Sequence, residues 1–301
     1  IKWSSTPSHC HPEAKPKDLP LGLYFQIADT CLLLTRDGAL KSIDPPTEPS
    51  ALEEVLARDG SLAALVRENG AEPPEIQVAE AGPQGPLRAI RPLTRLNGWA
   101  AEYATLPKEP LRWKGAGGME MEGLLVRPAG ATPGRKVPHL TIVHGGPAGV
   151  FSNGFNVRRG AYPVQLFAQA GYAVLLPNPR GSGGYGEAFR KANLRDWGEK
   201  DYEDIMAGVD ALIDSGLADP ARLGIMGWSY GGFMTSRVIT KTKRFKAASV
   251  GAGVTDTISF TGVADIPPFM RSYFGAWPWE DPALYASRTA VYNAKGITTP
   301  T

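Results

Sequence analysis

Gly227-Trp228-Ser229-Tyr230-Gly231 has the residue types and spacing for nucleophilic catalysis by a serine hydroxyl. The pattern is G-x-S-x-G, the turn in which a serine is carried at the tip of a tight strand-to-helix reversal. Crowding explains the glycines. A serine at such a tip needs strained backbone angles, and residues two before and two after it approach other backbone too closely for a Cβ. An apolar run, Leu223–Met226, leads into the turn, and Tyr230–Thr240 reads as the helix that follows. The N-terminus of that helix would aim free N–H groups at the place where an oxyanion forms. The pattern alone is weak, because chance supplies it in about one chain of this length in ten at average glycine usage. Its neighbours must decide.

The first neighbour is His144-Gly145-Gly146-Pro147, which follows the apolar run ending at Val143. A loop of small residues after a strand can turn backbone N–H groups toward a reacting carbonyl and form half of an oxyanion hole. Gly145 and Gly146 are the candidates for that half, and the N–H of Tyr230 for the other. Alone the loop reads equally as a glycine-proline turn; followed by the serine turn, in that order, it reads as functional. A second glycine-rich stretch, Gly181-Ser-Gly-Gly-Tyr-Gly186, matches the dinucleotide pattern G-x-G-x-x-G. Pro177-Asn-Pro-Arg180 separates it from its strand, that strand is not the first of its sheet, and the acidic residues some 20 positions on fall in a helix. A loop near the site is the better reading, with Arg180 and His144 as candidate substrate contacts. Phe260, Tyr273 and Phe274, within an aromatic segment that continues to Trp279, either line an apolar specificity pocket or pack a cap over the sheet.

Composition removes several other chemistries. The 301 residues carry 32 basic and 30 acidic side chains, a balance that argues against a nucleic-acid or membrane-surface partner. No apolar run approaches the ~20 residues needed to span a bilayer. The chain opens at Ile1 without a signal-peptide pattern, so its start is expected to be processed or missing and its location cytoplasmic. Two cysteines make no disulfide framework. Cys10 lies between His9 and His11 without a fourth ligand at suitable spacing, so no metal and no other cofactor is expected. A peptide substrate is the expected partner, and a homo-oligomer is left open.

The elements that must position the serine follow from hydrophobic periodicity. Residues 1–110 contain short runs separated by turn signals, which argues for antiparallel β structure. Leu23–Ile27, Cys31–Thr35, Ser61–Arg67, Glu75–Ala79 and Leu87–Arg91 are the strand candidates, Asn69-Gly70 is a hairpin dipeptide, and Ser50–Arg58 is the one helix candidate. Met119–Arg127 alternates before turning apolar, as an edge strand would. From there strands and helices alternate. Pro138–Val143, Tyr172–Leu176, Leu223–Met226 and Phe245–Val250 read as strands, with Asp219-Pro220 as a turn; Tyr162–Ala170, Glu199–Ser215 and Tyr230–Thr240 read as helices. This is the grammar of a parallel α/β sheet. Acidic residues in the first turn of the second helix (Glu199, Asp201, Glu203, Asp204) suit the positive end of its dipole.

Taken together, His144–Pro147, Gly171–Gly186, Trp197-Gly-Glu-Lys-Asp201 and Gly227–Gly232 occur in an order that resembles the catalytic domain of the prolyl oligopeptidase family of serine peptidases, in its acylaminoacyl-peptidase and dipeptidyl-peptidase branch. The resemblance covers residues 111–301. It implies an α/β-hydrolase fold, preceded over residues 1–110 by the end of a β-propeller that screens substrates by size, and hydrolysis of short peptides through an acyl-enzyme on Ser229. The family's triad runs serine, aspartate, histidine. Every histidine here precedes Ser229, and Asp256, Asp265 and Asp281 come too early to match the family's acid. The expectation is therefore a fragment whose fold is truncated before its last strands, with the triad aspartate and histidine beyond Thr301, a chain inactive as it stands, and an exposed apolar edge at Phe245–Val250. A carboxylesterase or lipase of the same fold and an inactive binding protein are the alternatives.

Overall fold

The computed structural model describes residues 62–80, 87–102, 105–132, 134–155 and 162–301, together with the backbone of four short strands between residues 24 and 56. His9, Cys10 and His11 lie outside the described residues. Contacts divide the chain into two units, residues 1–69 with 73–98, and residues 70–72 with 99–301.

The first unit is β-rich. β1 (Tyr24–Ile27), β2 (Thr30–Leu34) and β3 (Leu40–Ile43) form one antiparallel sheet. β4 (Glu53–Leu56), β5 (Leu62–Arg67), β6 (Glu75–Glu80) and β7 (Arg88–Pro92) form a second. The helix expected over Ser50–Arg58 is corrected by β4, which pairs with β5 from Glu53↔Val66 to Leu56↔Ala63. Leu-Glu-Glu-Val-Leu holds good helix formers, but pairing with a neighbouring strand outweighs propensities of a few tenths of a kcal/mol per residue. Asn69-Gly70 lies in a longer connection than a two-residue hairpin, because β5 and β6 pair last at Arg67↔Glu75.

The second unit is built on a six-stranded sheet in the order β13-β12-β10-β11-β9-β8. Its strands are β8 (Lys108–Lys114), β9 (Glu120–Val126), β10 (Val137–Val143), β11 (Ala173–Asn178), β12 (Ala218–Trp228) and β13 (Ala247–Gly251). The last four are parallel, and β9 and β8 run antiparallel beside β11. β9 is therefore an interior strand rather than the expected edge, and the edge is β8. Period-two alternation sends neighbouring side chains to opposite faces. Leu124, Val126, Leu140, Ile142, Val174 and Leu176 cover one face with Val164 and Ala168 of α1 (Val164–Gln169). Leu125, Leu175, Leu223 and Ile225 cover the other, beneath α3 (Lys200–Asp214) and α4 (Tyr230–Lys241). A short α2 (Glu187–Lys191) precedes α3, and α5 (Thr257–Val263), α6 (Pro267–Phe274) and α7 (Pro282–Arg288) follow β13.

Asp219-Pro220 does not end a strand. It sits in a bulge of β12, where the register shifts between Val137↔Ala218 and His139↔Leu223, and the Ala221 N–H donates to the Asp219 carboxylate. The outer edge of β13 is partly bonded: Ala248 N–H donates to Pro300 O (2.9 Å) and Thr299 Oγ1 to Phe245 O (3.1 Å). The bare apolar edge expected there is corrected to that extent. No helix among the described residues is long and apolar enough to cross a membrane.

Candidate active site

Strand order decides where chemistry can occur. The chain leaves β10 for β11 on one side, then crosses to β12 on the other, so β10 is the switch point of the parallel sheet. Open α/β sheets bind ligands outside the carboxyl ends of the strands at such a point. The last pair between β10 and β12 is Val143↔Gly227. His144–Gly146 and Trp228–Ser229 therefore leave the sheet side by side. A Cβ placed on Gly145 would lie 3.4 Å from Ser229 Cβ and 3.9 Å from its hydroxyl.

Ser229 is exposed at the tip of the turn, with φ 60° and ψ −120°. A side-chain-bearing residue rarely adopts that conformation, and the surroundings hold it there. Ser229 N–H donates to Gly251 O (2.9 Å), and Phe233 N–H donates to Ser229 O (2.9 Å), closing the first turn of α4. The N–H groups of Tyr230, Gly231 and Gly232 thus precede the first intrahelical donor, Phe233 N–H. The glycines are required by space. A Cβ on Gly227 would lie 2.3 Å from Gly231 O, and one on Gly232 2.4 Å from Gly251 O.

The facing loop is fixed from below. Gly146 has φ 121°, and a Cβ there would meet Ala148 N at 2.4 Å. The peptide bond between Gly146 and Pro147 is cis. His144, 4% exposed, has Nδ1 2.8 Å from Gly145 O and Nε2 3.0 Å from Ser182 Oγ. Burial lowers its pKa, so the ring is neutral; a carbonyl can only accept, so Nδ1 carries the hydrogen. His144, a candidate substrate contact by sequence, braces the loop from below. Tyr162 was not singled out by sequence. Its ring edge meets Phe151 at 5.6 Å, which in turn meets His144 at 5.3 Å. Burial raises the Tyr162 pKa, and hydrogen bonds from the backbone of Trp228 and Gly145 oppose the rise.

Beneath the turn lies a layer of buried charge that the sequence read as helix-dipole decoration. Of the four acidic residues, Asp201 and Asp204 are fully buried. Asp204 is gripped by Arg180 through Nε (2.7 Å), Nη2 (2.8 Å) and the backbone N–H (3.1 Å), and it accepts from Ala116 N–H as well (2.9 Å). The remaining reach of Nη2 goes to Ala116 O (2.7 Å). Arg180 thus uses Nε and Nη2 to clamp α3 against the β8–β9 turn. Arg180→Ala would leave Asp204 buried and uncompensated, and is expected to lower stability by about 3–5 kcal/mol in urea denaturation. Arg180→Met with Asp204→Leu is expected to recover most of that loss. Glu199, at the N-terminus of α3, accepts from Arg237 (2.9 Å), Lys241 (2.6 Å) and Arg288 (2.6 Å), joining α3, α4 and α7.

Asp201 has a different environment. It receives the Tyr230 hydroxyl and the Tyr202 N–H (2.9 Å). Burial, with Asp204 and Asp196 adding repulsion, raises its carboxyl to about 7 against the pull of those two bonds. A group raised on folding contributes stability fully below its unfolded value of about 3.9 and loses it as pH rises through the folded value. His139, lowered to about 4 by burial, acts oppositely and destabilises as pH falls. The difference between wild type and Asp201→Asn isolates the carboxyl. The gain in Tm of the variant over wild type is expected to be greater at pH 8 than at pH 5.

The aromatic segment divides. Phe274 is fully enclosed, with Trp197 at 5.7 Å and Tyr285 at 4.6 Å, and is core rather than pocket lining. Tyr273 is half-buried against Trp197 (4.9 Å), and Phe260 is half-buried on the same cluster. Trp197 itself packs edge-on against Tyr230 at 4.9 Å. Asp256 and Asp281 cap α5 and α7 through their side chains. Among the described residues, no group of three or more His, Cys, Asp or Glu could hold a metal ion.

Comparison with known proteins gives a consistent set. Residues 160–301 match the model of the prolyl oligopeptidase family. The chain is 37% identical over 205 residues to the uncharacterized peptidase YuxL of Bacillus subtilis (strain 168), covering 66% of this chain and 30% of that protein. It is 32% identical over 177 residues to the acylamino-acid-releasing enzyme of Arabidopsis thaliana, covering 56% and 22%. Among solved structures, Pyrococcus horikoshii acylaminoacyl peptidase superposes with a TM-score of 0.77 at 27% identity, covering 92% of this chain and 43% of that one. A Mycobacterium tuberculosis puromycin-hydrolyzing peptidase gives 0.73 at 27% identity, covering 93% and 43%. The chain thus spans less than half the length of each.

Proposed function

Because residues 160–301 make this chain a member of the prolyl oligopeptidase family, we propose that it carries the nucleophile half of a serine peptidase site and that the whole protein hydrolyses short peptides by acyl transfer through Ser229. The observation that carries the reading is the junction of β10 and β12, where an exposed serine in a strained turn stands beside a glycine loop and the free N–H groups of α4. In the proposed reaction the Ser229 hydroxyl attacks the peptide carbonyl, the carbonyl oxygen becomes an oxyanion, and backbone N–H groups receive it. Tyr230 N–H is one donor, and the N–H groups of Gly145 and Gly146 are the candidates from the loop, with Gly145 the position of close approach. The half-exposed Trp228, with Phe260 and Tyr273, offers apolar surface for a substrate side chain.

The serine needs a general base. Both ring nitrogens of His139 and of His144 are committed to groups other than Ser229, so the reading places the base and its orienting acid outside the described residues. Acylamino-acid-releasing enzymes and a puromycin-hydrolyzing peptidase among the similar proteins support blocked or short peptides as the substrate class. The test compares peptide anilides with p-nitrophenyl esters on the full-length protein, with a fluorophosphonate to mark the nucleophile. Anilide hydrolysis with label on Ser229 is the expected result; turnover of esters alone would sink the peptidase reading in favour of a carboxylesterase.

A further inference from the structure

Asp201 is a fully buried carboxylate without an ion-pair partner of its own among the described residues. Arg180 is taken by Asp204, and Arg237 by Glu199. What it holds instead is the hydroxyl of Tyr230, the residue whose N–H adjoins the nucleophile. Burying a carboxylate in this way costs several kcal/mol, and an apolar residue would pack α3 against α4 with less penalty. The packing around Tyr230 is already sufficient without it: the ring lies edge-on to Trp197 at 4.9 Å and stacks on Phe233 at 5.7 Å.

We propose that Asp201 is a positioning residue for the reaction at Ser229, holding the Tyr230 side chain so that the peptide plane between Ser229 and Tyr230 presents its N–H to the oxyanion. The inference rests on the peptidase reading of the site. Its physical basis is the strain at Ser229, whose φ of 60° and ψ of −120° would relax by rotation of that plane. Anchoring Tyr230 at its ring and at its hydroxyl fixes its Cα and leaves the plane little freedom. The ionised carboxylate accepts the phenol hydrogen more strongly than a neutral carboxyl group does. The link is therefore strongest above the Asp201 pKa, which burial places near neutrality. The groups that face it are the acidic Asp204 and Asp196, the basic Arg180 and Arg237, and the two phenols Tyr230 and Tyr202. Asn193 is also fully buried, and its amide lies beside the Tyr230 hydroxyl without reaching hydrogen-bond geometry with any group. It offers the phenol an alternative partner when Asp201 is protonated.

The experiment uses Tyr230→Phe, Asp201→Ala and Asp201→Asn in the full-length protein, with folding checked by Tm and near-ultraviolet circular dichroism. Two readouts are taken against pH: kcat and KM for a peptide anilide, and the rate of Ser229 modification by a fluorophosphonate. Tyr230→Phe and Asp201→Ala are expected to lower kcat and the modification rate about tenfold at pH 8, with KM changed less than twofold, a fraction of the loss from deleting an oxyanion donor outright. Asp201→Asn, whose amide oxygen accepts from the phenol at every pH used, is expected to recover at least half of wild-type kcat. In all three variants the acid limb of kcat should lose one ionisation and become shallower. Folded Tyr230→Phe with wild-type kcat, or variants with an unchanged acid limb, overturns the inference. If Ser229 is modified but anilides are not cleaved, the peptidase reading falls and the modification rates alone decide this inference. A wild-type Ser229 that takes no phosphonate overturns both.

Discussion

Ser229→Ala should lower turnover of a peptide substrate by about 10⁶-fold, leaving a residual about 10³–10⁴ above the uncatalysed rate from oxyanion donors and binding. The loss should fall on kcat, because the hydroxyl supplies the bond-forming atom and little of the ground-state affinity. Alanine occupies the same strained turn as serine, and the hydrogen bonds that hold the turn use backbone groups: Ser229 N–H to Gly251 O, and Phe233 N–H to Ser229 O. Tm should therefore stay within a few degrees of wild type. Parallel measurement of kcat and Tm on the purified full-length variant checks this. A variant that keeps more than a hundredth of wild-type turnover would assign the nucleophile elsewhere.

Gly231→Ala should produce the largest loss of stability from adding a single methyl group. A Cβ at this position would lie 2.0 Å from Val143 O, 2.8 Å from Val143 C and 2.9 Å from His144 O. All three are backbone atoms at the end of β10, a strand bonded on both sides within the sheet, so neither partner can move aside cheaply. Overpacking of a core by side-chain rearrangement costs about 1–3 kcal/mol. Here the obstacle is backbone, and the expected cost is about 4 kcal/mol or more, in the range reserved for severe steric or polar defects. Gly262→Ala is the control. Gly262 is exposed in α5 with nothing within 4 Å of an added Cβ, so it should gain about 0.5–1 kcal/mol from helix propensity. Urea midpoints of the two variants should move in opposite directions. Equal midpoints would mean that the turn does not need the close approach of α4 to β10.

The residues in and beneath the turn differ in how they could be found. Ser229 and its glycines are legible because a local steric demand writes itself into a five-residue pattern. The loop at Gly145 and Gly146 is legible for the same reason, and so are the strands and helices of residues 137–251, whose burial repeats at period two or 3.6. Asp201, Asp204 and Arg180 were misread or half-read. Four acids in the first turn of a helix look like dipole partners, and nothing local tells Asp201 and Asp204 from Glu203. Their burial depends on which way α3 faces the sheet. Tyr162 and Asn193 carry no pattern at all. Each matters because a loop or a helix from another part of the chain arrives beside it. The helix expected over Ser50–Arg58 failed for a related reason: β5 stands ready to pair with Glu53–Leu56, and local propensity is too weak to resist.

From residue types and spacing alone came the family resemblance, the candidate nucleophile, the order of the motifs and the alternation of strands and helices. All of these rest on interactions within a few residues along the chain. Strand order, by contrast, belongs to the folded molecule. It places β12 beside β10 rather than beside β11, and so sets Gly145 against Ser229. It also turns α3 so that Asp201 meets Tyr230 and Asp204 meets Arg180 under the turn. Those contacts join residues 24 to 84 positions apart, and their partners are selected by packing, which no short window of sequence encodes.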